Sequence, residues 1–439
     1  MKLMNAKGTR DFPPEDKILR EDIVDRLKSI FRLYGYNPLE TPVIERADIL
    51  TAKYAGGAEI LKESFTLTDQ GKRNLMLRYD LTVPFARFVG MNPTLKMPFK
   101  RYQIGRSFRD GPIKLGRYRE FWQCDVDVVG TSSMMAEAEL MAIAERFFRY
   151  IGFDITIKVN NRKVLNSLIT YAGIDEGKSD DVILSLDKLE KVGPRSVRKE
   201  LAEKKIEKKS IDRILGFFDE YDGTINYLET NLGTEGIEEL KELFMLTDAL
   251  GLKNTKLDVT LARGLSYYTG TIYEIFLNSE NFTSAIAAGG RYDRMIGEFL
   301  GGKQQYPAVG ISFGLEGIMD IIKMQQEERK KSVVEFFIIP IGDVKTEALK
   351  LAQELRNKDL NADLDIMGRS ISKNLDFANK NTIPYVLFVG ENEIKEGKFK
   401  IKDMNAGKEW MIEKKKLADE LKKYQKIGVS KKNVQKNNS

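Results

Sequence analysis

Apolar and polar residues alternate in two different rhythms along the chain. From 15 to 35 (EDKILREDIVDRLKSIFRLYG) the apolar positions fall at helical spacing and stop at Gly35, which predicts an amphipathic helix closed by a glycine. Between 60 and 130 the period drops to two. LMLRYD, RYQIGRSFR and EFWQCDVDVV, separated by glycine-containing turns, predict antiparallel strands. Helical spacing returns at 135–151, and ITIKV, 155–159, reads as another strand. Residues 162–245, rich in Lys, Glu, Leu and Ile and poor in aromatics before Phe217, predict several short helices. Strand patterns resume at LDVTLARG, TIYEIF and SAIAAGGRYD, before an apolar helix near 314–324, so one sheet is expected to span a helical interruption.

The charged run QQEERKK, 325–331, predicts a linker. Beyond it VVEFFIIPI, EALKLAQELRNK, ADLDIM, SISKNLDFANK and PYVLFVG alternate strand with helix, the signature of a small parallel α/β unit. The last stretch, KKYQKIGVSKKNVQKNNS, is polar and basic and predicts disorder. The expected architecture is α+β. An antiparallel sheet flanked by helices occupies 1–161 and 246–324, with a helical insertion at 162–245, a linker at 325–332, an α/β domain at 333–425 and a tail at 426–439.

Composition narrows the chemistry. With 42% hydrophobic and 31% charged residues, the 439-residue chain suits two or three globular domains. No stretch approaches the roughly 18 uninterrupted apolar residues of a membrane span, and MKLMNAKGTRDFPPED has no apolar leader core, so no membrane association and a cytoplasmic location are expected. Cys124 is the one cysteine, and there is no histidine at all. An internal disulfide is excluded, a zinc site would have only carboxylates and one thiolate, and Ser-His-Asp and Cys-His hydrolases are ruled out. No metal site of the protein's own is expected. Catalysis must rest on carboxylates, lysines, arginines, a bound metal or positioning. Of the net charge of +6, residues 333–439 carry +5, with 21 Lys+Arg against 16 Asp+Glu. A polyanion partner and a merely solvated surface both fit that excess.

In EFWQCDVDVV, Phe121, Gln123, Asp125 and Asp127 share one face, with Trp122, Cys124, Val126 and Val128 on the other. The preceding strand repeats the arrangement, with Arg101, Gln103, Ser107 and Arg109 opposite Tyr102, Ile104 and Phe108. One face is expected to be core and the other the polar floor of a small-molecule cleft, the alternative being an ordinary wet face. Lys114, Arg117 and Arg119 in the connecting DGPIKLGRYR form a credible phosphate clamp, since an arginine fork can bind two oxygens at once; a plain solubilising loop is the competing reading.

GTRDFPPED (8–16), LETPVIE (39–45), LRYDLTVPFARFV (77–89), FRDGPIKLGRYREFWQCDVDVVG (108–130), ARGLSYYTGTIYE (262–274), AAGGRYD (287–293) and PAVGISFGLEG (307–317) follow one another along the chain. In the order and spacing of these motifs the chain resembles the histidyl-tRNA synthetases, a class II aminoacyl-tRNA synthetase family. It implies condensation of L-histidine with ATP to histidyl-adenylate, then transfer to histidine tRNA. The substrate carboxylate itself attacks the α-phosphorus, so no protein nucleophile is required.

By position in these motifs, Asp80, Thr82 and Gln123 would hold the α-amino group, while Arg263 and Arg109 would bind the α-phosphate from two sides, Arg263 also bridging the carboxylate. Phe121 would stack on adenine and Arg117 would reach the outer phosphates. Asp127 and Tyr268 would take the two imidazole nitrogens, walled by Tyr267 and Tyr292. ATP would come with Mg2+, the C-terminal domain would bind the anticodon stem, the insertion would lie against the acceptor arm, and Pro42 would sit in the motif that forms a homodimer. Three positions depart from the family: Gly111 where a glutamate is common, Ser266 where an aspartate is common, and Gly317 where the γ-phosphate arginine stands. Arg117, Lys114 or Arg106 is expected to take over for the last. The rival readings are the synthetase-like regulatory subunit of histidine biosynthesis, which normally lacks the C-terminal domain, and a sensor of histidine or uncharged tRNA. ATP binding separates the sensor from the enzyme.

Overall fold

The computed structural model describes residues 2–52, 61–263, 267–279, 282–302, 304–325 and 329–431. Two compact units divide the chain, one of residues 1–10 and 23–325, the other of residues 11–22 and 326–439. The first unit contains β1 (Asn37–Pro38), β2 (Ile44–Arg46), β3 (Thr66–Thr68), β4 (Asn74–Leu77), β5 (Phe99–Phe108), β6 (Glu120–Val129), β7 (Ile155–Asn161), β8 (Thr255–Leu257), β9 (Thr271–Leu277), β10 (Ala287–Arg291) and β11 (Ala308–Gly314). Eight of them form one sheet in the order β1-β5-β6-β11-β10-β9-β7-β8, and β2, β4 and β3 form a small antiparallel sheet. The large sheet is antiparallel except for the β1–β5 and β7–β8 pairs.

The period-two reading of β5 and β6 carries directly into packing. Cys124, Val126 and Val128 are buried on one face, which is closed by the helices Pro14–Leu33 and Met135–Tyr150. Phe313 of β11 lies at the middle of this layer, its ring 5.9 Å from Phe31, 5.6 Å from Phe147 and 5.8 Å from Phe148. Phe31 in turn meets Tyr102 of β5 at 5.4 Å. The helix Pro14–Leu33 ends where the spacing predicts, and Gly35 takes φ +78°, a left-handed conformation that glycine adopts without steric cost.

Six helices between Arg162 and Ala249 separate β7 from β8, yet those two strands are parallel neighbours. LDVTLARG is not the continuous strand its alternation predicts: β8 stops at Leu257. Asp258 Oδ1 accepts from the Thr260 amide at 3.0 Å and its hydroxyl at 2.6 Å, and Asn160 Nδ2 donates to the Val259 and Leu261 carbonyls. These local bonds compete with the sheet ladder and turn the backbone out of it.

The second unit contains β12 (Phe336–Ile341), β13 (Ala362–Leu364), β14 (Tyr385–Gly390), β15 (Lys398–Asp403) and β16 (Glu409–Glu413), in the order β13-β12-β14-β15-β16. The parallel α/β reading holds for β13, β12 and β14; β14, β15 and β16 are antiparallel. The sheet turns antiparallel at β15, which follows the short helix Glu391–Glu396, and a tight turn then joins β15 to β16, where Asp403 Oδ1 accepts from the amides of Asn405 and Ala406 and Gly407 takes φ +67°. The helix Lys414–Lys431 takes in the first residues of the stretch expected to be a disordered tail, and 432–439 lie outside the described residues, as do 326–328 of the expected linker.

A buried ion pair locks the end of β10 to a flanking helix. Arg291 donates through Nε and Nη2 to the two carboxylate oxygens of Glu137 at 2.7 and 2.8 Å, and through Nη1 to the Thr131 carbonyl at 3.0 Å. Glu137→Ala leaves that buried guanidinium with Asp293, 3.3 Å from Nη1, in place of the bidentate pair, and denaturant unfolding should show a loss of about 3–5 kcal/mol. A loss below about 1 kcal/mol contradicts this account of the pair.

Candidate active site

The other face of the central strands is polar and also buried. Registration places Asp127 opposite Arg101 on one side and Gly310 on the other, and Asp125 between Gln103 and Ser312. Asp127 is 2% exposed; Tyr292 donates to its Oδ1 at 2.7 Å, and Arg101 Nη2 stands 2.8 Å from its Oδ2. Gln123 donates to Ser312 Oγ at 3.1 Å. Burial pushes both Asp125 and Asp127 above the usual carboxylate range, with Arg101 pulling each of them back. A side chain at Gly310 is impossible here, since its Cβ would fall 1.9 Å from Asp127 Oδ1.

A second carboxylate marks the other end. Asp80 precedes the helix Thr82–Met91, where its Oδ1 accepts from the Val83 amide at 3.1 Å. It is 3% exposed, and burial pushes its carboxyl up to about 6 even though the amide and Arg109 favour the charged form. Arg109, one residue past β5, donates to the Tyr79 carbonyl at 3.0 Å and stands 5.2 Å from the Phe121 ring centre. Thr82 is half-buried in the first turn of the same helix.

The tyrosines join the two ends. Tyr267 and Tyr268 precede β9 rather than lying on it; their rings are 4.7 Å apart and both are buried. Tyr267 also meets Tyr292 at 6.1 Å, and Tyr268 lies 5.2 Å from the Arg263 guanidinium. Gly290 makes room for Tyr268, because a Cβ there would come 2.8 Å from its ring. Arg263 Nη1 is 3.7 Å from Glu274 on β9. Burial raises the Tyr267 phenol well above its ordinary range, helped by Tyr268 and Asp80, so the field of Asp80 reaches the tyrosine wall.

The structure thus brings together Asp80, Thr82, Arg109, Phe121, Gln123, Asp127, Arg263, Tyr267, Tyr268 and Tyr292. Arg117 lies at an exposed hairpin tip, paired through its backbone with Lys114, and its charge is felt at Arg109. Among the described residues, Arg101 Nε and Nη1, Ser107 Oγ, Gln123 Oε1, Asp125 Oδ1 and Asp127 Oδ2 are buried without a hydrogen-bond partner, the contact of the last with Arg101 being an ion pair. Six such atoms on the face of two neighbouring strands are unusual in a folded interior and offer bonding capacity to a polar guest.

Three features escaped the sequence reading. Glu63 fills the space beside Gly111: a Cβ there would lie 2.8 Å from its carboxylate, and the Asp110 amide donates to the Glu63 carbonyl at 2.6 Å. Asp320 ties down the hairpin tip, accepting from the Gly116 amide at 3.1 Å and Tyr118 Oη at 3.2 Å. Arg10 stands 3.8 Å from Asp320, which lies one helical turn beyond Gly317, and 3.7 Å from the Tyr118 ring centre. No period announces them: Arg10 lies in a loop, Glu63 in a turn and Asp320 midway along the helix Leu315–Gln325, each far in sequence from what it touches. Arg106, expected near the outer phosphates, is ion-paired with Glu120 at 3.1 Å. Ser266 lies outside the described residues.

An eight-stranded, mostly antiparallel sheet whose polar face carries arginines and buried carboxylates defines the catalytic fold of a class II aminoacyl-tRNA synthetase. The family model described as histidyl-tRNA synthetase matches residues 8–318, and that of an anticodon-binding domain matches 335–424. Histidine–tRNA ligase 1 of Bacillus cereus (strain ZK / E33L) is 46% identical over 93% of this chain and 97% of its own length. The histidine–tRNA ligase of Clostridium tetani is 36% identical over 91% and 93%. The crystal structure of histidyl-tRNA synthetase from Nostoc sp. PCC 7120 superposes with a TM-score of 0.84 at 29% identity, covering 97% of this chain and all of that one. The chain belongs to the histidyl-tRNA synthetase family.

Asp80 yields a direct check on the geometry. The folded chain holds its proton more tightly than the unfolded chain, whose carboxyl titrates near ~4, so stability falls as pH rises through that window to about 6 and the penalty then stays level. Asp80→Asn removes the penalty. Thermal melts without substrate should place the variant above the parent at neutral pH, the gap closing as pH is lowered toward ~4, while histidine-dependent activity is lost. A gap that does not change with pH contradicts a buried, under-neutralised Asp80.

Proposed function

We propose that this chain activates L-histidine with ATP and passes the histidyl group to histidine tRNA, using the buried polar face of β5, β6 and β11. The observation that carries the reading is a pair of buried carboxylates, Asp80 beside Arg109 and Asp127 beside Arg101 and Tyr292, with Tyr267 in contact with Tyr292 and in the field of Asp80. Histidine offers a matching set: an ammonium group for Asp80, with Thr82 and Gln123 beside it, and an imidazole N–H for Asp127. Tyr268 is the partner for the second imidazole nitrogen, and Tyr267 and Tyr292 close the walls. A substrate without those nitrogens would leave buried polar groups unpaired at about 1–3 kcal/mol each, which is the physical basis of selection.

The chemistry then needs no imidazole from the protein. A substrate carboxylate oxygen bonds to the α-phosphorus and pyrophosphate leaves; afterwards a tRNA terminal hydroxyl attacks the carbonyl carbon and AMP leaves. Arg263 aligns the carboxylate against the α-phosphate, Arg109 neutralises that phosphate from the other side, and Phe121 supports adenine. The outer phosphates fall to Arg117 and Lys114 on the hairpin tip, with Arg10, beside Asp320 and Tyr118, a further cation. Mg2+ travels with ATP and offsets the charge on its phosphates, for which one or two carboxylates suffice; Glu63, beside Arg109, is the carboxylate at that end.

The basic C-terminal unit receives the anticodon stem and the helical insertion the acceptor arm. The working form is a cytoplasmic homodimer built around the Pro42 segment. Among the described residues no helix is long and apolar enough to cross a membrane. A regulatory subunit without tRNA charging is the weaker reading, because the anticodon-binding model covers 335–424.

Histidine-dependent ATP–pyrophosphate exchange by the purified chain tests the proposal. Exchange should require histidine, and Arg263→Ala should lower its rate about 10²–10³-fold. Histidine binding without exchange overturns the enzyme reading in favour of a sensor.

A further inference from the structure

Arg101 has no place among the substrate contacts above, yet its side chain is fully buried. Taking a guanidinium out of water costs several kcal/mol, and a chain that needed only to fill this space could do so with apolar residues. Its surroundings show where the charge acts. Nη2 stands 2.8 Å from Asp127 Oδ2 and 3.4 Å from the Leu81 carbonyl, and Cζ lies 4.2 Å from the ring centre of Phe85. Leu81 sits between Asp80 and Thr82, and Phe85 is in the helix that those residues begin. One nitrogen therefore links the two ends of the site.

The charge matters because Asp127 is not alone. Asp125 shares its face two residues earlier and is equally buried. Two desolvated carboxylates this close would share a proton rather than both ionise, and an Asp127 that holds the proton no longer offers both oxygens as acceptors. An ionised carboxylate has about four lone-pair sites. Tyr292 uses one on Oδ1 and Arg101 faces Oδ2, so acceptor capacity remains for a guest on a side chain that can no longer rotate. The bare Cα of Gly310 keeps Oδ1 free of steric cover.

We propose that Arg101 is a positioning residue for histidine recognition: tethered between Leu81 and Asp127, it fixes the distance from the ammonium end to the imidazole end and holds Asp127 as an acceptor for the imidazole N–H. The proposal rests on the reading of Asp127 as the imidazole partner, and its test separates the two.

Calorimetric titration of the full-length protein, with histidine and with ATP in separate experiments, reads the effect. Arg101→Met should weaken histidine about tenfold or more while leaving ATP affinity within about twofold, and Arg101→Lys, which keeps the charge, should recover most of the loss. Histidine affinity that stays at the parental value, histidine and ATP affinities that fall together, or a folded Arg101→Lys that recovers nothing would each overturn the proposal. If Arg101→Met does not fold, Arg101→Gln is judged by the same criteria. Asp127→Asn tests the foundation: parental histidine affinity in that variant removes the imidazole assignment itself. A weakened Asp127→Asn beside an unaffected Arg101→Met removes only the role of Arg101.

Discussion

A buried carboxylate must be paid for by fixed neighbours, and Asp127 has them on two strands and on the turn that follows a third. Arg101 on β5 faces Oδ2, Tyr292 just beyond β10 donates to Oδ1, and β11 contributes a glycine where any side chain would collide. These contacts exist only in one register of β5, β6 and β11. A slip of one residue would turn Asp125 and Asp127 into the aromatic layer around Phe313 and expose Cys124, Val126 and Val128 to the cleft. The apolar face and the polar face thus specify each other, and the site is set when the sheet forms.

Much of this was legible in the sequence because strand alternation is a local signal. EFWQCDVDVV forms a strand over all ten of its residues, Glu120–Val129, with its faces divided as the alternation predicts. The helix that ends before Gly35 and the strands at 155–161 and 271–277 likewise follow from periodicity. The polar floor was foreseen as a cleft, but its depth was not, since burial depends on what other segments place above it. A segment governed by turn chemistry misled: Asp258 bends LDVTLARG out of the sheet. Tyr267 and Tyr268 meet at a tilt before β9 begins. Glu63, Asp320 and Arg10 reach the site across long stretches of sequence with no repeating pattern, so only the fold reveals them.

The departures at Gly111 and Gly317 acquire a structural setting. The carboxylate of Glu63 occupies the space a side chain at 111 would need. Gly317 lies under the hairpin tip, with its Cα 3.5 Å from where a Cβ on Gly116 would stand, and Asp320 holds that tip and draws Arg10 toward it. A chain with no histidine of its own can run this chemistry because the reaction asks for alignment and charge neutralisation, which preorganised arginines and carboxylates supply in a dry site.

The most direct measurement is a crystal structure with a non-hydrolysable histidyl-adenylate analogue. The account predicts its ammonium group within hydrogen-bonding distance of Asp80, its imidazole N–H on Asp127 with the Arg101 and Tyr292 contacts retained, and its second ring nitrogen at Tyr268. An analogue bound with its imidazole away from Asp127, or with the Arg101–Asp127 pair broken to admit it, would contradict the account.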